Sequence, residues 1–262
     1  MKKKILLALG SLFILVGAAL IIVPQISNQI GIQIAHNTVN DFINLKENIV
    51  DGTKPKPTEG TETDATFIED NSATENETVL YRVDIDRLYA DSKKYNEMLK
   101  LNQQNLLIDE LSYQNPSLNL LDYGIPNGVY GYVSAPSIGM ELPIYLGASE
   151  YNMAYGAAHM TYTSLPIGGK STNSVLSGHA GYIGRIFFDY IRNLNIGDEV
   201  IVENYWDKLT YKVIDREIYK NYQSSACYLT EGKDLLTMLT CISDGQGGFD
   251  RYYVICERDI HD

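Results

Sequence analysis

The first strong pattern along the chain is a nearly continuous apolar run from Ile5 to Val23. Only Gly10, Ser11 and Gly17 interrupt it, and Lys2, Lys3 and Lys4 precede it. About 20 apolar residues suffice to cross the hydrocarbon of a bilayer, and the lysines hold the leading end in the cytoplasm. The run is long for a cleaved leader, and no small-x-small site follows Pro24. The pattern predicts an uncleaved signal anchor over residues 1–24, a single pass through the cell membrane, and an extracellular remainder. The closing residues Arg258-Asp259-Ile260-His261-Asp262 add no second apolar run.

Residues 25–50 read as a weak helix leaving the membrane. From Asp51 to Thr78 the chain turns polar, with Lys54-Pro55-Lys56-Pro57 followed by Thr, Glu, Asp and Asn. Such a composition cannot bury enough apolar surface to fold alone, so residues 25–79 divide into a juxtamembrane segment and an acidic linker. From residue 80 the pattern becomes that of a folded domain extending to residue 262. Leu88, Tyr95, Leu99 and Asn102 recur near helical spacing between Tyr81 and Leu107. After the turn Gly124-Ile125-Pro126-Asn127-Gly128, short β-type runs take over: Val129–Val133, Leu142–Leu146, Ser174–Ser177, Val200–Glu203, Leu209–Ile218, Leu235–Cys241 and Tyr252–Cys256. One short helix is expected over Ile186–Leu194. Many short strands with turn signals predict a mainly β barrel or sandwich with a few helices.

Composition narrows the function. A formal net charge of −12 argues against nucleic acid as the main partner, because phosphate binding needs clustered Lys and Arg. The three cysteines, Cys227, Cys241 and Cys256, are odd in number and widely spaced, so they make no disulfide framework. The scarce, scattered histidines offer no zinc spacing, and neither metal nor cofactor is expected.

A free extracellular thiol raises the question of reactivity, and a reactive thiol needs a nearby base or cation. Cys241 ends an apolar strand run and faces the polar, glycine-rich segment Ser243-Asp244-Gly245-Gln246-Gly247-Gly248. His179 follows a strand and sits among small residues in Ser177-Gly178-His179-Ala180-Gly181, while Arg251 opens the next strand run. Each alone reads better as structural: a packed His, a buried Cys and a surface Arg. Together they resemble the sortases, and most closely the pilus-building class C sortases. Ser177-Gly178-His179 resembles that family's His-bearing strand end. Thr237-Met238-Leu239-Thr240-Cys241 is similar to its Thr-Leu-x-Thr-Cys motif, and Arg251 stands ten positions beyond the Cys. Pro143–Gly147, Thr163–Leu176 and Gly197-Asp198 are also similar to the class C pattern. The usual lid motif, Asp-Pro-aromatic, is represented here only by Asn115-Pro116-Ser117.

The resemblance implies a closed, eight-stranded sortase-type β-barrel with an N-terminal helical extension. It also implies a cysteine transpeptidase acting on surface proteins with a Leu-Pro-x-Thr-Gly-like sorting motif. Cys241 would be the nucleophile, His179 the proton donor and Arg251 the oxyanion stabiliser, with Thr240 a candidate for positioning substrate. The acceptor would be a pilin lysine or a cell-wall amine, with pilin polymerisation the main reading. A wall-anchoring enzyme, a thiol hydrolase and a non-enzymatic assembly or adhesion protein are the alternatives. Cys227 and Cys256 read as structural, and His159 as secondary.

Overall fold

The computed structural model describes residues 2–49, 83–106, 112–181, 184, 187–220 and 225–258. The acidic linker read at 51–78 lies outside them. Eight strands close a barrel in the order β1-β2-β3-β4-β7-β8-β6-β5. They are β1 (Val129–Ala135), β2 (Met140–Leu146), β3 (Ala157–His159), β4 (Thr172–Ser177), β5 (Glu199–Asn204), β6 (Lys208–Tyr219), β7 (Asp234–Ser243) and β8 (Phe249–Glu257). The expected eight-stranded barrel is therefore present. Most pairings are antiparallel, but β2–β3 and β4–β7 are parallel.

Alternation along each strand fills the barrel. Val200 and Val202, Leu209, Tyr211 and Val213, Leu236 and Met238, and Tyr252, Val254 and Cys256 belong to one interior cluster. The connection after β4 adds Phe187, Phe188, Ile191 and Leu194 to that core. This explains why, among the described residues 187–194 of the helix expected over Ile186–Leu194, only a 3-10 turn at Ile191–Asn193 forms. Plugging the barrel end with four side chains fixes the local backbone more strongly than helix propensity does.

At the other end, the first residue of β7 anchors a buried polar hub. The fully buried Asp234 carboxylate accepts from Arg258 Nη2 at 2.6 Å and Nε at 2.7 Å, Gly169 N at 2.9 Å, and Thr172 and Tyr211 hydroxyls at 3.1 Å. A buried carboxylate needs such a complete set of donors.

Two long helices lie outside the barrel. Helix α1 (Lys2–Glu47) runs through Pro24 without a break. Its second half packs on β1 and β2, burying Ala35, Val39, Phe42 and Leu45. Phe42 meets Tyr205 at 4.8 Å and Tyr132 at 6.0 Å between ring centroids. Helix α2 (Ile85–Leu106) buries Leu88, Ser92, Asn96, Leu99 and Gln103. Its stripe is half polar because it satisfies loop backbone. Asn96 exchanges two hydrogen bonds with Leu165, and Gln103 bonds Tyr162 O, Cys227 O and Leu229 N. The short helix α3 (Glu150–Met153) starts at a Ser149 cap.

Candidate active site

The parallel pairing of β4 with β7 brings together residues some sixty positions apart. Its last ladder pair is Ser177 with Leu239. Beyond it, Gly178 N donates to Leu239 O at 3.1 Å, and the Thr240 hydroxyl donates to Gly178 O at 2.8 Å. These two bonds carry the register one step further, so His179 arrives beside Cys241. On the other flank, Cys241 and Arg251 are direct cross-strand partners in β7–β8, and Arg251 Nη1 donates to Cys241 Sγ. Tyr219 stands opposite Arg251 on β6.

Strand parity tells which way this row faces. Thr240 and Tyr252, a cross-strand pair, share the inward face with Met238 and Val254. Cys241 and Arg251 share the outward face with Leu239 and Tyr253, which form a small separate cluster with Val175 and Cys227. His179, Cys241 and Arg251 thus line the outer wall of the barrel near one end, each half-buried. Tyr219 and Tyr253 meet edge to face at 5.5 Å beneath them.

Both flanking loops are tied. In the β7–β8 turn, Asp244 Oδ1 accepts from Gln246 N at 2.8 Å and Gly248 N at 2.9 Å. In the loop after β4, Phe188 N donates to His179 O at 3.0 Å and Gly181 N to Asp189 Oδ1 at 2.9 Å. Gly178 lies so close to the Phe188 ring that a Cβ there would sit 2.7 Å from it. Only a glycine lets the strand leave the barrel wall at that point.

The remaining candidates are placed elsewhere. Thr240 is 1% exposed and its hydroxyl is engaged by Gly178, so its side chain lies behind the row and not in it. Cys227 is buried, and burial pushes its thiol up to about 12 against a smaller opposing hydrogen bond with Tyr253. Cys256 lies in the barrel core, where burial likewise holds its thiol well above the usual range. His159 is fully buried. Its Nε2 contacts Ser164 O at 2.9 Å, so that nitrogen carries the proton and donates. Burial lowers its pKa to about 4 despite bonds to Ser164 and Thr163. His36 is exposed on α1 and pairs with Glu141 at 2.9 Å. The Asn115-Pro116-Ser117 segment packs against Gly147 and Thr161, and Ser117 reaches His159 and Tyr95. Among the described residues, no group of three His, Cys, Asp or Glu is arranged to hold a metal.

Thr240 as a strand tie is the feature that sequence reasoning did not reach. Its hydroxyl partner is a backbone carbonyl sixty-two positions away, and only the parallel pairing reveals it.

The chain is similar to known proteins in sequence and in fold. The Sortase domain profile matches residues 133–259. A solved structure titled Group B Streptococcus Pilus Island 1 Sortase C2 is 31% identical, with a TM-score of 0.55 over 67% of this chain and 97% of its own. Sortase C from Clostridium perfringens is 30% identical, with a TM-score of 0.53 over 68% of this chain and 90% of its own. Sortase A of Bacillus anthracis is 29% identical over 123 residues, 44% of this chain. This chain spans about half the length (53%) of that curated relative. With a closed eight-stranded barrel, a matching domain profile, and relatives of this identity and coverage, the chain belongs to the sortase family.

Proposed function

We propose that this chain is a cysteine transpeptidase that cleaves a Leu-Pro-x-Thr-Gly-like sorting motif and passes the acyl group to an amine. The observation that carries this reading is the row itself: Cys241 in contact with Arg251 on one side and flanked by His179 on the other.

Cys241 Sγ attacks the Thr carbonyl carbon of the motif. The oxyanion that develops is stabilised by the Arg251 guanidinium, which is always charged and donates in a fixed fork. The peptide C–N bond breaks, and His179, as imidazolium, supplies the proton that the leaving amine takes away. A thioacyl enzyme remains. His179, now neutral, accepts a proton from the incoming amine as its nitrogen attacks the thioester, and Cys241 is released. One amide is broken and one is formed, so no oxidant or reductant is required. Thr240 is a positioning residue in this scheme: it fixes the strand end that presents His179.

Pilin polymerisation is the favoured reading. It is supported by similarity to the Pilus Island 1 sortase C2 and a pilus-related sortase C, both of Group B Streptococcus. In this reading the acceptor is a lysine amine of a pilin subunit. The apolar first half of α1 supports single-pass anchoring with the barrel on the outer side of the membrane.

The test uses the full chain in nanodiscs, a Leu-Pro-x-Thr-Gly peptide and an amine acceptor, with products read by mass. An amide-linked product that disappears in Cys241→Ala is expected. Free acid alone, with acceptor present in excess, would favour a hydrolase. Cleavage that persists in Cys241→Ala would refute the proposed nucleophile.

A further inference from the structure

The row of candidate catalytic residues lies at one end of the barrel, and α1 relates that end to the membrane. From its middle onward α1 runs down the barrel from this end to the other. Asn28 Oδ1 accepts from Gly184 N at 2.5 Å, His36 bonds Glu141 at the start of β2, and Lys46 Nζ donates to Asn204 O at 2.8 Å at the end of β5. Gly184 belongs to the same loop as His179. Gly31 packs so tightly here that a Cβ would run into the Gly184 carbonyl, and a Cβ on Gly184 would sit 2.8 Å from Ser27 Oγ.

Asn28 stands five residues after Val23, the last residue of the apolar run. At 1.5 Å per residue that is about 7.5 Å along the helix. The polar headgroup layer on each side of a bilayer is of similar depth, roughly 5–7 Å. The loop that carries His179 is therefore docked at the outer margin of that layer.

The same end exposes large apolar side chains: Tyr190 and Ile196 in the β4–β5 connection, Ile218 at the end of β6 and Phe249 at the start of β8. Their exposures run from 49% to 62%. Exposed apolar groups gathered at one end mark a contact surface, and aromatic rings suit the boundary between headgroups and acyl chains.

We propose that the barrel seats its active-site end on the bilayer, with α1 as a rigid strut and Tyr190, Ile196, Ile218 and Phe249 in the interfacial layer. The proposal rests on reading the first half of α1 as a membrane span. The tether supplies the effective concentration, so no single contact needs to be strong. The seat brings the Cys241 row to the height at which a membrane-held substrate leaves the bilayer.

The full chain is placed in nanodiscs containing lipids brominated near the headgroup end of their acyl chains, which quench nearby indoles. The native chain reports from Trp206, beside the far end of β5. A Trp206→Phe/Phe249→Trp chain reports from the active-site end. The indole at position 249 is expected to lose most of its emission, and Trp206 to keep nearly all of its own. Equal quenching of both, or none at position 249 while the chain remains in the discs, overturns the seat. Shielding of position 249 that appears only with dimer formation assigns the patch to a second copy and also overturns it. Loss of the chain from the discs in flotation refutes the span itself. Activity plays no part in the readout, so failure of the transpeptidase reading stays separate.

Discussion

Removing the Thr240 hydroxyl gives the most direct measure of how the two strands set the proposed active site. In Thr240→Val the shape is nearly unchanged, but Gly178 O loses its 2.8 Å donor. Leaving a buried carbonyl short of a partner costs about 1–3 kcal/mol. In a body of this size that lowers the melting temperature by roughly 2–12 °C. The functional cost comes from His179, one residue beyond that carbonyl. A displacement of about 1 Å can lower turnover by up to about a hundredfold. The full chain in nanodiscs is assayed for kcat and KM against a sorting-motif peptide and an amine, with melting followed in parallel. The expected result is a ten- to hundredfold fall in kcat with little change in KM. Thr240→Ser, which restores the donor, should recover most of it. A variant that melts lower but keeps its kcat would refute the positioning role.

Three further outcomes follow from the structure. Protonation of His159 is resisted in the folded chain (pKa about 4) and not in the unfolded chain, whose value is 6.5. Stability should therefore fall as pH drops from 6.5 towards 4, by up to about 3 kcal/mol from this group; urea midpoints should show a flatter acid limb in His159→Asn. Asp234→Asn leaves Arg258 with a neutral partner at the base of β7, so unfolding free energy should fall by about 3–5 kcal/mol, and a loss below 1 kcal/mol would refute the hub's importance. Gly31→Ala drives a methyl into the Gly184 carbonyl; overpacking of this kind costs about 1–3 kcal/mol. Because it strains the loop that carries His179, kcat should drop several-fold while flotation still finds the chain in discs.

The sequence made some of this visible and hid the rest for identifiable reasons. The barrel strands were legible where valine, isoleucine and tyrosine alternate, as in β1, β5 and β6. Strand β3 was not, because Ala157-Ala158-His159 has little strand propensity and is held by pairing with both β2 and β4. In α2 a hydrophobic period selects Tyr95 and Asn102, whereas the buried stripe uses Ser92, Asn96 and Gln103 to satisfy loop backbone. The seam of α1 follows alternating three- and four-residue steps: Asn28, Gly31, Ala35, Thr38, Phe42 and Leu45. Its polar and small members, together with exposed Ile26, Ile30, Ile32 and Ile34, blur the signal in a hydropathy reading. Family resemblance singled out His179, Cys241 and Arg251, and the structure brings Cys241 and Arg251 into contact. The hairpin that sets Arg251 beside Cys241 was readable in the chain, but the parallel pairing of β4 with β7 that carries His179 there was not, being a long-range feature with no local signature.

The unequal burial of the three cysteines has a practical consequence. Cys227 and Cys256 are sealed in the folded chain as protonated thiols, and Cys241 alone is half-open. Each preparation therefore carries its own titre. Moles of alkylating label taken up per mole of folded chain count the molecules with an available site, without engineering any residue. A second equivalent of label taken up at neutral pH would report molecules whose barrels have opened.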